Sequence, residues 1–181
     1  MTARFVMRTE NDLWRAILPV IQEGVAPFEG VVVKRAYQPA TQADGENPRV
    51  VVHRVSSRRH GFQGAKTVSR DGGLFTVETW FKEDTFRAEA LVDRAADDDA
   101  FTAGDVLEGL GAYLQSLAAA DAFRKREIGI LRIRDVTETP YEDSRGTFRK
   151  RAGVHFVITY KQTTEREVPK LTRVERGLYR V

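Results

Sequence analysis

A chain of 181 residues suits one domain large enough to bury a core, and its net charge of +3, from 29 basic and 26 acidic residues, describes a well-mixed surface that permits nucleic acid without demanding it. There is no cysteine, so disulfides, thiol nucleophiles and thiolate zinc sites are excluded together, and nothing points to an oxidising compartment. No window approaches about twenty apolar residues, and MTARFVMRTE lacks the apolar stretch of a signal peptide; a soluble chain folding in the cytosol is expected.

The first element is a helix expected from Glu10 to Glu23, with Thr9 as N-cap, Asp12 three residues on in the manner of a capping box, and Gly24 closing it. Leu13, Trp14, Ile17, Leu18 and Ile21 fall on one face. At about 2 kcal/mol per buried side chain that stripe supplies on the order of 10 kcal/mol as an upper bound, so it should dock on a sheet. Pro19 lies inside the pattern, where a kink is expected.

Val31 to Tyr37 and Arg49 to Ser57 read as two strands joined by the polar segment QPATQADGENPR, and an antiparallel pairing is expected. SSRRHGFQGAKTVSRDGG follows as a glycine-containing loop. In it Arg58, Arg59, Lys66 and Arg70 are not interrupted by any acid, which predicts a local positive potential.

LFTVETWFKEDTFRAEALV, from Leu74 to Val92, is the longest run of strand-forming residues and has no Gly or Pro. Phe75, Val77 and Phe81 share one parity and Phe86, Ala88, Ala90 and Val92 the other, so the apolar face changes sides near Lys82, Glu83 and Asp84. A period of two predicts a bulge or turn there. At about 3.3 Å per residue the run would reach roughly 60 Å. One bent strand whose end meets another subunit is expected; the alternative is a hairpin at Lys82 to Asp84, which would lack Gly or Asn at its turn.

DRAADDDAFTAGD is an acidic connector, and its Asp97, Asp98 and Asp99 lack the alternating spacing and glycine of a calcium loop. A second helix is expected from Ala103 to Ala118, capped by Thr102 with Asp105 in its first turn, with Val106, Leu107, Leu110, Leu114 and Leu117 on one face. Gly109 and Gly111 suggest a close approach to a neighbour. A short helix from Asp121 to Arg126, a strand from Ile128 to Glu138, the loop TPYEDSRGTFRKR and a strand from Gly153 to Thr164 follow. Thr172 to Val181 reads as an extended arm whose Val174, Leu178 and Tyr179 need an apolar partner. The order indicates one α+β domain over residues 1–181, with two main helices against a largely antiparallel sheet.

Chemical motifs are sparse. His53, His60 and His155 have no paired spacing for a metal. Gly61-Phe62-Gln63-Gly64 matches the GXXG loop of KH domains, but its flanks read as strand where that loop joins two helices. No phosphate loop, dinucleotide fingerprint or nucleophile elbow occurs, so no enzyme activity, cofactor or metal is expected.

In order along the chain, ENDLWRAILPVIQEG, AYQP, RRHGFQG, ETWFKEDTFRAEALV, LQSLAAADAFRKREIGILRIRDV and HFVITYKQT before LYRV resemble the neck or tail-terminator proteins of tailed bacteriophages. The resemblance implies a small α+β fold, a ring usually of six subunits that closes the tail tube and joins it to the head connector, and no catalytic residues. It places the protein in the virion, assembled in the host cytoplasm, with tail tube and head completion proteins as partners, genomic DNA passing through the lumen, and no membrane. From charge and position alone, the candidate interface or lumen residues are Arg58, Arg59, Lys66, Arg70, Arg145, Arg149, Lys150, Arg151, Val174, Leu178 and Tyr179. The alternative is a nucleic-acid-binding module using basic loops around 54–70 and 145–151, with Phe62 and Phe148 for stacking.

Overall fold

The computed structural model describes residues 4–6, 9–36, 48–70, 72–92, 101–142 and 148–168. The chain order is β1 (Arg4–Val6), α1 (Glu10–Val25), β2 (Val32–Arg35), β3 (Arg49–Arg70), β4 (Gly73–Leu91), α2 (Ala103–Leu114), α3 (Leu117–Arg124), β5 (Ile128–Ile133), β6 (Thr137–Glu142) and β7 (Phe148–Val168). The strands form one mixed, mostly antiparallel sheet in the order β1-β7-β4-β3-β2, with β5 and β6 also paired to β7. This is an α+β fold, as the element pattern implied.

The helices lie against one face of one half of the sheet. Leu13, Ile17, Val20 and Ile21 of α1 and Val106, Leu107, Leu110 and Leu114 of α2 are buried together with Val50, Val52, Phe86, Ala88, Ala90, Val154, Phe156 and Ile158 of the sheet. Phe86 stacks on Phe156 at 5.6 Å between centroids and takes the edge of Trp14 at 5.2 Å. Helix α1 runs through Gly24 to Val25 instead of ending before it, because a Cβ at Gly24 would lie 2.8 Å from both Leu110 and Tyr113 and only glycine lets α2 come so near. Gly109 plays the expected part on α2, where Phe28 occupies the space of a side chain at 2.7 Å; nothing lies within 4 Å of the corresponding point at Gly111.

Both capping boxes form. Thr9 Oγ1 accepts from Asp12 N while Asp12 Oδ2 accepts from Thr9 N, and Thr102 and Asp105 do the same. The Thr102 backbone bond, ahead of its hydroxyl, holds the Asp105 carboxyl below its ordinary value. Thr102→Ala should cost about 1 kcal/mol, a fall of about 2–4 °C in Tm. Because the native pKa of Asp105 is lowered, the hydroxyl–carboxylate part of that contribution is present above the unfolded aspartate value and is lost as pH falls through the native one. Thermal melts of both proteins at neutral and strongly acid pH should show the gap narrowing.

The sheet departs from expectation in four places. First, β2 and β3 pair in parallel, with Val32 beside Arg49 and Arg35 beside Val52. The connection of 36–48 is long enough for the crossover a parallel pair needs, so its polar composition does not specify a hairpin. Second, the 56–70 segment read as a basic loop is strand, the outer half of β3, paired with β4 as far as Arg70 and Gly73. Its irregularities are a one-residue bulge between Arg54 and Ser56 and a wider one between His60 and Gly64, where Gly61 takes φ 73°.

Third, the helix expected from Ala103 to Ala118 is two. Gln115 caps α2, Ser116 accepts from Ala119 N to start α3, and Leu117 is 86% exposed, so the apolar stripe ends at Leu114. The following helix accordingly runs from Leu117 to Arg124, not from Asp121 to Arg126. Fourth, the strand expected from Ile128 to Glu138 is broken into β5 and β6, both of which pair with β7; β6 and the start of β7 take up most of the predicted loop after it.

The long central strand is continuous. Strand β4 pairs with β7 from Leu74↔Val168 to Ala90↔Ala152 without one register shift, which rules out a hairpin at Lys82 to Asp84 and also any bulge in β4. The parity switch needs neither, because the two halves of the strand have different surroundings. Phe86, Ala88 and Ala90 face the helices, whereas Phe75, Val77 and Phe81 point to the opposite side of a half that the helices do not cover; Phe81 is 50% exposed. Residues 93–100 and 172–181, and with them the acidic connector and the terminal arm, lie outside the described residues.

Candidate functional site

The half of the sheet beyond the helices forms an arm built from the outer parts of β3, β4 and β7 with β1 at one edge. On β3 every described side chain from Val55 to Thr67 is exposed. Strand β2 covers the outer edge of β3 only as far as Val52, where Ala36 N donates to Val52 O; among the described residues nothing pairs with that edge from His53 to Arg70. An exposed edge of this length is a template for another strand, and its cations are one device that discourages indiscriminate pairing.

The candidate cations from the sequence separate in space. Arg58 lies opposite Glu83, and its Nε donates to Glu83 Oε2 at 2.6 Å; His60 Nδ1 is 2.9 Å from Glu83 Oε1. Glu83 is 3% exposed, so an otherwise costly buried carboxylate is held by two outward-reaching groups. Arg59 crosses the other face to lie 5.3 Å over the Trp80 ring. Arg70 is 3.7 Å from Glu165 of β7, and Lys66 is exposed opposite Val77. The uninterrupted positive potential expected for 58–70 is therefore corrected, because acids from β4 and β7 fold against it.

Arg151 lies at the other end of the sheet, 3.8 Å from Glu89, and with Arg87, Glu89 and Thr139 lines a cleft of about 280 Å³. Arg149 and Lys150 are in β7 beside Tyr141 and Pro140 of β6. Arg145, Val174, Leu178 and Tyr179 lie outside the described residues. Among the described residues the two basic groups therefore lie at opposite ends of the sheet. GXXG is within a strand, as its flanks indicated, and not between helices.

Sequence reading missed the groups that order the junction between arm and core. Asp84 is fully buried; its Oδ2 accepts from Tyr160 Oη at 3.1 Å and is 3.6 Å from Arg54 Nη1, while Oδ1 has no hydrogen-bond partner. Arg54 also reaches Glu10 at 3.8 Å, and Arg35 donates to Glu10 at 2.6 Å while lying over Trp14 at 4.8 Å. Trp14 Nε1 donates to Glu10 as well, the largest reason that the Glu10 carboxyl is held below its ordinary value. The available signal was Glu83-Asp84 itself, adjacent acids of which one must fall on each face of the strand.

Among the described residues no group of three or more His, Cys, Asp or Glu is placed to hold a metal, and no helix is long and apolar enough to cross a membrane. What the arrangement offers is surface: a projecting arm with an unpaired edge, joined to a helix-covered core.

The fold is of the terminator type. It is similar to the solved structure described as an extracellular contractile injection system, PVC sheath/tube terminator in extended state, with a TM-score of 0.51, 11% identity, and 97% of this chain covered. The chain spans 65% of that chain's length, and the likeness is one of fold. No curated protein matches the chain. A family model described as E217 gateway protein gp29 matches residues 12–170, and the chain belongs to that family. The phage neck and terminator resemblance read from the sequence is thereby upheld.

Proposed function

We propose that the protein is a structural, non-enzymatic component of a phage or prophage particle, a terminator or neck protein whose subunits form a ring of six that closes the tail tube and joins it to the head connector. The family match over residues 12–170 carries this reading. The ring's partners are the tail tube protein and the head completion proteins, genomic DNA passes through its lumen, and its place is the neck of a virion assembled in the host cytoplasm. The candidate residues Arg58, Arg59, Lys66 and Arg70 then act at subunit contacts, in keeping with their position along an open sheet edge.

That edge also gives the terminal segment a use. Strand β7 reaches Val168, opposite Leu74 and beside the β3–β4 turn, at the tip of the arm. The 13 residues from 169 to 181 could extend about 45 Å. Val174, Leu178 and Tyr179 within them pair with the β3 edge of a neighbouring subunit in this reading, by strand addition.

Mass measurement in solution with negative-stain images tests the ring directly: a closed ring is expected, and a monomer at all concentrations would overturn it. A chain ending at Lys170 should keep its melting behaviour yet run as a folded monomer in light scattering. An intact ring, or an unfolded monomer, would remove the segment from subunit exchange.

A further inference from the structure

The two faces of the core carry opposite charge. Strand register defines which side chains lie on the sheet face turned away from the helices: Lys34 beside Val51 and Glu89, Arg49 beside Leu91, Arg87 between His53 and His155, and Arg132 beside Val157. Arg134 follows opposite His155, whose carbonyl accepts its backbone N–H, and Arg151 lies opposite Thr139. Among the described residues six cations therefore share a face with Glu89 and the buried Glu83, and Asp135 is exposed. Glu89 is already engaged by Arg87 at 3.0 Å and by Arg151. Burial first, then Arg87, Arg134 and His53, push the His155 pKa down against the opposing pull of Glu89.

Helices α1 and α2 are the converse, while α3 beside them exposes Arg124 and Lys125 together with Asp121. Glu10, Asp12 and Glu23 on α1, Glu29 just after it, and Asp105 and Glu108 on α2 are exposed, and Arg15 is the basic residue exposed on these two helices. The Phe28 ring is seated on Gly109, so the chain segments that carry Glu29 and Glu108 lie within a side chain's reach of one another. Helix layer and sheet face are the two sides of one two-layer core, so contact between them joins one copy to the next head to tail, an interface that closes into a ring where the rotation between copies permits and otherwise runs on as a filament.

We propose that the basic sheet face of one subunit docks on the acidic α1–α2 layer of the next copy, with Arg132 and Arg134 meeting the Glu29–Glu108 region. The inference rests on the ring reading above and supplies its subunit contact. Complementary potentials of this kind fix orientation and exclude the symmetric face-to-face dimer, since either face would meet its own charge.

The test uses two variants with exposed substitutions, Arg132→Glu with Arg134→Glu, and Glu29→Arg with Glu108→Arg. Each alone should melt like wild type and shift the ring's dissociation midpoint at least tenfold toward higher concentration. Mixed in equal amounts they should re-form a ring of even subunit number, because each variant's altered face then meets the other's complement, and a chain carrying all four substitutions should assemble by itself. Raising salt toward 1 M, where screening acts within about 3 Å, should weaken the wild-type ring. A wild-type protein that never leaves the monomer overturns the ring reading and this contact with it. A wild-type ring unchanged by either variant, or two variants that do not rescue one another, overturns the contact alone. So does an unchanged ring accompanied by loss of duplex DNA binding in the Arg132/Arg134 variant, which assigns the basic face to nucleic acid.

Discussion

Ile17→Asp, or Leu110→Asp, should abolish cooperative unfolding altogether. Both side chains are fully buried, one on each of the two helices that cover the sheet. Replacing either removes about 2–5 kcal/mol of apolar packing and adds a carboxylate with no cation within the same cluster. The sum reaches the whole stability of an ordinary domain, about 5–15 kcal/mol. Far-ultraviolet circular dichroism against temperature decides the matter. A sigmoidal melt within a few degrees of wild type would mean that these helix faces are not the core.

Arg54→Ala should be the most damaging change among the polar residues, at about 3 kcal/mol, the low end for breaking a buried pair because Arg54 itself keeps 30% of its side chain in solvent. It strips the neighbouring cation from Asp84, which is fully buried and already has one oxygen without a donor, and leaves Tyr160 as its hydrogen-bond partner. Urea titration should show the midpoint falling with little change in slope. The double variant Arg54→Leu with Asp84→Leu should recover much of the loss, since no charge then remains buried. If the double variant is no more stable than Arg54→Ala, the ion pair is not the source of the effect.

The helices were legible because their information is local. Thr9 with Asp12 and Thr102 with Asp105 mark starts, and the stripes from Leu13 to Ile21 and from Val106 to Leu114 mark the buried face. Leu117 misled because it continues the period past Leu114 although the backbone has already turned at Gln115 and Ser116. Strand β4 declared itself by its composition. The outer half of β3 did not, since a strand exposed on both faces has no apolar alternation to show, and Gly61 and Gly64 made its cations look like those of a loop. The direction of the β2–β3 pairing is a property of the crossover and leaves no mark in either strand. Arg58, Arg59, Lys66 and Arg70 lie on an exposed segment, but Glu83 and Glu165, which answer Arg58 and Arg70, arrive from other strands. The opposed charge of the sheet face and the α1–α2 surface was hidden for the same reason, because Arg87 and Arg151 meet at Glu89 only after β4 and β7 align.

The unbroken register of β4 against β7 has a mechanical side. Seventeen residues of β4, Leu74 to Ala90, face seventeen of β7 with no bulge between them, while the irregularities fall in β3 and β5. A pull along the strands from the tip of the arm loads this whole ladder in shear, all of its hydrogen bonds at once; a pull across the sheet would open them one after another. The arm is therefore stiff along its length and easier to peel sideways at the β3 edge. Tension carried lengthwise from a neighbour gripping the tip would reach the helix-covered core with little loss, so the ribbon is suited to act as a tie rod between subunits.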